Sequence, residues 1–241
     1  MAQDRPEPPA AVSKWRDLRR RAITACVAAP IALGGLWWGE WVWIVLVLCA
    51  LLGMADEWRK LARALNFSAA KTWQLGALYL LPASAALVWL RETPGVGLGN
   101  VLFVMLIVWA SDIGAYMTGR LIGGPKLAPS ISPGKTRSGA VGGLISAMLI
   151  GLIAAELSPH GGAPLRAALE AGLLGIASQS GDLLESAIKR RAGVKDSGWI
   201  LPGHGGLLDR LDGLLTAAPL AAMMALAVGQ GMYLWVRVPL P

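Results

Sequence analysis

Asp209 and Asp212 stand three residues apart in the run Asp209-Arg210-Leu211-Asp212, so a helix would put both carboxylates on one face and turn Arg210 elsewhere. Such a pair suits a hard divalent cation like Mg²⁺, held by one or two carboxylates together with substrate phosphate. A solvated helix start favours the same pair, because its dipole attracts negative charge. Just upstream come Lys189, Arg190, Arg191, Lys195 and Asp196, followed by Gly203-His204-Gly205-Gly206. Basic side chains match phosphate oxygens, and closely spaced glycines let backbone approach a ligand. The stretch from Ser186 to Asp212 therefore points to metal-assisted chemistry on phosphate. His204 reads as a base, a phosphate donor or a loop residue. No Ser/His/Asp or Cys/His arrangement accompanies it, which argues against a nucleophilic side chain. Zinc is disfavoured as well, since His160 is the one other histidine.

Two further aspartates lie inside apolar runs: Asp112 in VWASDIGAYMTGR and Asp182 in ASQSGDLLESAIKRR. A carboxylate within a membrane segment is costly and marks a functional position or a structural ion pair. Asp112 comes eight residues before Arg120, and Asp182 seven before Lys189. In a helix that is about 10–12 Å below the surface, a depth where a lipid phosphate could meet a soluble nucleotide. Ser178, Glu185, Ser186 and Lys189 fall on the helical face of Asp182, polar over more than two turns. Between the fourth and fifth runs, Gly134-Lys135-Thr136 suggests a phosphate loop, yet Pro129 occupies the place of its first glycine and no strand precedes it. Ser132, Lys135 and Thr136 remain candidate phosphate or nucleotide contacts.

The elements that must position these groups are membrane helices. The 241 residues are 55% hydrophobic and 15% charged, with a mean hydropathy of +0.53, far from a soluble domain. Eleven tryptophans against two phenylalanines fit interfacial aromatic belts. The net charge of +7 is spread beside apolar runs instead of being gathered on a soluble module. It reads as attraction to anionic lipid, with no nucleic acid partner. Cys26 and Cys49 each lie in an apolar run, which supports neither a disulfide framework nor a thiolate metal site.

Residues 1–13 are proline-rich and polar, and Lys14 to Arg21 form a basic juxtamembrane segment, so 1–21 reads as a cytoplasmic N-terminus and not a signal peptide. Apolar runs at roughly 22–38, 41–56, 73–90, 97–119, 138–156, 165–187 and 213–236 are each near the ~20 residues that cross a bilayer. With the N-terminus inside, seven crossings put every strongly basic loop on one side: Arg59, Lys60, Arg63 and Lys71, then Arg120, Lys126, Lys135 and Arg137, then the 189–210 cluster. The expectation is an all-α polytopic transmembrane bundle in the plasma (inner) membrane. Its organisation would be N-terminal helices over 22–95 and a catalytic region over 96–241, with cytoplasmic loops 120–138 and 188–212. A tight connection between the first two runs is expected at Gly39-Glu40, and Gly139, Gly142 and Gly143 could let helices pack closely.

Read together, Ser186, Lys189-Arg190, Lys195-Asp196, Pro202 to Gly206 and Asp209-Arg210-Leu211-Asp212 resemble the signature of phosphatidate cytidylyltransferases, the CDP-diacylglycerol synthases. Asp112, Gly119-Arg120, Lys126-Leu127, Pro129, Ser132-Pro133, Lys135-Thr136 and Gly181-Asp182 resemble that family in order and spacing. The likeness covers roughly residues 100–215. One departure is Gly134-Lys135-Thr136-Arg137-Ser138-Gly139, where the family often has Lys-Lys-Thr-Trp-Glu-Gly. The resemblance implies a reaction of CTP with phosphatidic acid that yields CDP-diacylglycerol and pyrophosphate, with Mg²⁺.

It also implies roles. Asp182 and Asp209 would form the metal centre, with a second, monovalent cation, and Asp212 would be a ligand or lie just behind one. Lys189, Arg190, Lys195 and Arg210 would hold phosphates of CTP or lipid. Ser132, Lys135 and Thr136 would close over substrate, with Asp112, Ser186, Gly205 and Gly206 lining its site. Asp196 and His204 would orient these groups. A homodimer is implied too. The residue types suit this chemistry, because a lipid phosphate is already ionised at neutral pH and needs alignment and charge neutralisation more than a base. Two alternatives remain. One is a CTP-dependent transferase with another lipid acceptor. The other is an ion-coupled transporter using Asp112 and Asp182, although a transporter places carboxylates near the midplane.

Overall fold

Lipid offers a backbone no hydrogen-bond partner, so apolar runs of this length fold as helices. The computed structural model describes residues 26–158, 163–198 and 205–228. The expected cytoplasmic segment 1–21, His160, the Pro202-Gly203-His204 run and the end of the last apolar run (229–236) lie outside the described residues. The helices are α1 (Cys26–Trp38), α2 (Glu40–Ala64), α3 (Ala69–Arg91), α4 (Gly97–Leu121), α5 (Arg137–Glu156), α6 (Pro164–Arg191) and α7 (Leu208–Val228). Among the described residues, α2, α3, α4, α5 and α7 are long and apolar enough to cross a membrane. Among the described residues α6, at 28, is the longest helix, but polar side chains from Ser178 onward interrupt its apolar character.

Local signals account for several boundaries. Ser68 accepts from the Lys71 amide (3.3 Å) to start α3, and Thr136 accepts from the Gly139 amide (3.0 Å) to start α5. Pro164 sits in the first turn of α6, where its missing N–H costs nothing. The expected tight connection is a single residue, Gly39, between α1 and α2. Arg91, at the end of α3, donates to the carbonyls of Leu36 (2.7 Å) and Trp37 (3.2 Å), closing the end of α1 with a cation.

One feature departs from the all-helical expectation. Lys126–Ala128 (β1) and Ser132–Thr136 (β2) pair antiparallel, with Lys126 opposite Thr136 and Ala128 opposite Ser132. Pro133 is tolerated there because a two-stranded hairpin is all edge and one side of each strand needs no donor. The hairpin makes the α4–α5 connection a fixed projection.

Packing runs along the chain, α4 on α5, α5 on α6 and α6 on α7, and α7 also packs on α3. Val101, Val104 and Ile107 of α4, Leu174 of α6, and Ala217 and Ala221 of α7 are fully buried between them. Small residues allow this closeness: a Cβ on Gly143 would lie 2.7 Å from the Ser111 carbonyl of α4. The outer surface is apolar, with Trp37, Trp41, Leu52 and Leu121 all strongly exposed. Water would disfavour such a surface, and lipid would cover it.

Candidate active site

Three parts of the fold converge at the C-terminal end of α6: the start of α7, the β1–β2 hairpin and the segment after Arg191. The convergence of α6 and α7 depends on Gly181. A Cβ there would sit 2.5 Å from the Asp212 carbonyl and 2.3 Å from the Thr216 hydroxyl. Its absence brings Asp182 and Asp212 onto neighbouring helices at close quarters. Asp112 on α4 joins them, and the three carboxylates act on one another electrostatically. Three like charges within mutual reach are costly unless cations offset them. Lys135 of β2 meets Asp182 at 2.5 Å, and Lys135 and Arg210 both act on Asp112.

The polar face read on α6 is present, and it divides by depth. Ser178, Glu185 and Lys189 are buried, while Asp182 and Ser186 are half-buried. Ser186 lies 3.4 Å from the Asp182 carboxylate as its donor. Lys189 donates to Glu185 (2.8 Å) and also to Asp209 at the start of α7. A buried ammonium between two carboxylates is compensated on both sides, and one of its three N–H donors is left over. Arg190 donates to the carbonyls of Ile131 (3.2 Å) and Val194 (3.3 Å), which ties the hairpin turn to the end of α6.

Asp209 is the most heavily bonded of the predicted residues. Besides Lys189, it accepts from the Ser197 amide (2.9 Å), the Ser197 hydroxyl (3.0 Å) and the Gly206 amide (2.8 Å). Gly205 has a positive φ of 82°, and Asp196 lies against it. Lys195 and Asp196 are exposed in the turn before Ser197. Thr136 is buried as the cap of α5, with Ser132 half-buried at the other end of β2.

Sequence reasoning missed the residue beneath this loop. Glu57, on α2, is fully buried. It accepts from the amides of Leu207 (2.9 Å) and Leu208 (2.8 Å) and from the Ser197 hydroxyl (3.1 Å). The first amides of α7 have no partner within the helix, and a carboxylate is their strongest acceptor. Glu57 thus caps a helix from outside its own segment, with Ser197 shared between Glu57 and Asp209. The available signal was a glutamate flanking an apolar run in Met54-Ala55-Asp56-Glu57-Trp58.

Among the described residues no three His, Cys, Asp or Glu side chains are grouped so that they could together hold a metal ion. Mg²⁺ does not need such a group, because it takes one or two carboxylates and fills its octahedron with water and phosphate. Asp182, with Asp112 and Asp212 nearby, offers hard oxygen donors of that kind beside cations suited to phosphate.

Residues 69–228 match the sequence model of the cytidylyltransferase family. The chain belongs to that family. A phosphatidate cytidylyltransferase of Brucella suis is 45% identical over 176 residues, covering 71% of this chain and 60% of its own length. One from Pseudomonas aeruginosa is 36% identical over 269 residues, covering 89% of this chain and 99% of its own. A third, from Haemophilus influenzae, is 40% identical over 189 residues. The chain thus spans about 60% of the length of the Brucella relative. The match to the cytidylyltransferase family includes the hairpin and every described site residue except Glu57, which precedes it.

Proposed function

We propose that the protein transfers the cytidylyl group of CTP to phosphatidic acid, giving CDP-diacylglycerol and pyrophosphate. The observation that carries this reading is the gathering of Asp112, Asp182 and Asp212 beside Lys135 and Arg210, in a cytidylyltransferase-family chain with an apolar outer surface. An oxygen of the lipid phosphomonoester attacks the α-phosphorus of CTP. As that bond forms, the bond to the β-phosphate oxygen breaks and pyrophosphate leaves. The nucleophile is already anionic, so no side chain need remove a proton.

The chain supplies charge and alignment. Lys135, carried on the hairpin, and Arg210 both act on Asp112 and would hold the triphosphate. Lys189, fixed by Glu185 and Asp209, keeps a donor for a phosphate oxygen. Arg190 keeps guanidinium donors beyond its two carbonyl contacts, and Lys195 is exposed for the same use. Asp182, Asp209 and Asp212 would hold Mg²⁺, which when bound supplies charge neutralisation on the reacting phosphates. Asp209 would reach it by exchanging its contact with Lys189. A second, monovalent cation belongs to the same reading.

We further infer seven crossings with the N-terminus in the cytoplasm, in a plasma (inner) membrane, with the site facing the cytoplasm and the chain acting as a homodimer. Support comes from the basic loops, which fall on one side in that arrangement. The test is CDP-lipid formation by purified, detergent-solubilised protein given labelled CTP, Mg²⁺ and phosphatidic acid. Product that requires lipid and metal is expected. Product only with a different lipid acceptor would change the substrate, and none with any acceptor would overturn the enzyme reading.

A further inference from the structure

Beside the Glu185–Lys189 face of α6, a groove of about 500 Å³ opens between α2, α3 and α6. Its walls are Trp58, Leu75, Leu184 and Ile188, and its rim carries Lys71 and Arg191, both exposed. Trp58 donates its indole N–H to the Thr72 carbonyl (2.8 Å), so only apolar ring surface faces the groove. The Lys71 ammonium is held 4.3 Å over the Phe67 ring at the mouth. Tyr79 forms the inner wall. Its hydroxyl is buried with no hydrogen-bond partner among the described residues, and it lies in electrostatic reach of Glu185, Asp182 and Asp212. Leu184 and Ile188 of the groove and Asp182 and Lys189 of the active site lie on the same stretch of α6.

An apolar trough with two cations at its mouth fits an amphiphile with a hydrocarbon tail and an anionic head. The buried Tyr79 hydroxyl adds a polar group to the inner wall of the trough. We propose that this groove is the docking site of the lipid substrate. The acyl chain lies against Trp58, Leu75, Leu184 and Ile188, and Lys71 and Arg191 receive the phosphate. The inference rests on the transfer reading above and adds the place where the lipid is taken from the bilayer. The groove differs from ordinary lipid contact: the exposed apolar stripe of Val141, Ile145, Leu149 and Leu152 on α5 ends at one basic side chain, Arg137, whereas the groove sets cations from two helices, Lys71 of α3 and Arg191 of α6, beside a buried hydroxyl.

The test uses the full chain in neutral detergent. Leu184→Trp fills the groove, the double variant Lys71→Ala/Arg191→Ala removes the rim charge, and Leu149→Trp makes the first change on the exposed face of α5. The first two should raise the KM for phosphatidic acid about tenfold while leaving kcat at saturating lipid and the KM for CTP as they were. Leu149→Trp should change neither. Native mass spectrometry with added phosphatidic acid gives a readout independent of turnover. Lipid adducts should fall in the groove and rim variants and persist in Leu149→Trp. An active wild type whose groove and rim variants keep the lipid KM and adducts would overturn the docking site. Equal loss of adducts in Leu149→Trp would overturn it too, as general lipid contact. An inactive wild type whose adducts still depend on the groove would overturn the transfer reading and leave the lipid site in place.

Discussion

The carboxylate of Glu57 accepts a hydrogen bond of 2.8 Å from the amide of Leu208, 151 residues further along the chain. Through it α2 fixes the position at which α7 begins. Asp209 is the next residue, and Ser197 bonds to both carboxylates. The geometry of the candidate metal site therefore depends on a side chain outside the region that matches the family.

Replacing Glu57 by alanine should strip the acceptor from two amides in a buried place, while the Ser197 hydroxyl keeps Asp209 as its acceptor. Each unsatisfied donor costs about 1–3 kcal/mol, so a fall of about 10 °C in thermal midpoint is expected for a chain of this size. Glu57→Gln keeps the shape and one acceptor oxygen and should lose about half as much. Thermal unfolding of the detergent-solubilised variants reads this directly. A Glu57→Ala midpoint equal to wild type would refute the capping role.

Gly181 sets a different distance. A methyl group there meets the Asp212 carbonyl and the Thr216 hydroxyl, so Gly181→Ala must push α6 and α7 apart. Overpacking of this kind costs about 1–3 kcal/mol, and the separation of Asp182 from Asp212 should grow. CDP-lipid formation is expected to fall about tenfold or more in protein that still elutes as a folded species. Wild-type turnover in Gly181→Ala would show that the helix spacing is not critical.

The helices were legible because each apolar run is long, and the observed spans extend the runs by a turn or two where charged residues such as Arg59 and Lys60 continue the helix. The polar stripe on α6 was legible for the same reason, since Ser178, Asp182, Glu185 and Lys189 repeat at helical spacing. The hairpin was not, because Lys126 to Thr136 contains Pro129, Pro133 and Gly134 and shows no alternation that marks a strand. Glu57 was hidden for a stronger reason. Its partners lie 140 to 151 residues away, and no local pattern encodes a contact across that separation.

Lys135 and Asp182 meet at 2.5 Å with both side chains partly exposed, which marks a contact that substrate can replace. Lys135→Met should raise the KM for CTP about tenfold, and Asp182→Asn should lower kcat about 10²–10³-fold. In the double variant the two effects should fall well short of additive, because residues in contact share their partner. Steady-state kinetics of the four proteins in the cycle measures this. Strict additivity would mean that the pair has no functional coupling.

Asp209 presents the sharpest test of the metal assignment. Its two oxygens are shared among Lys189, Ser197 and Gly206, so Asp209→Asn keeps the size and one oxygen acceptor but removes the charge that faces the Lys189 ammonium and a cation. Loss of a metal-ligating carboxylate should lower turnover about 10²-fold or more and raise the Mg²⁺ concentration for half-maximal activity. Lys189→Met separates the two functions of that charge. It removes the ammonium and leaves the carboxylate, so it should reduce turnover without raising the Mg²⁺ requirement. Mg²⁺ titrations of both variants at saturating CTP and phosphatidic acid are the measurement. Near-normal activity and an unchanged Mg²⁺ requirement in Asp209→Asn would remove Asp209 from the metal centre and leave it as the residue that orients Lys189.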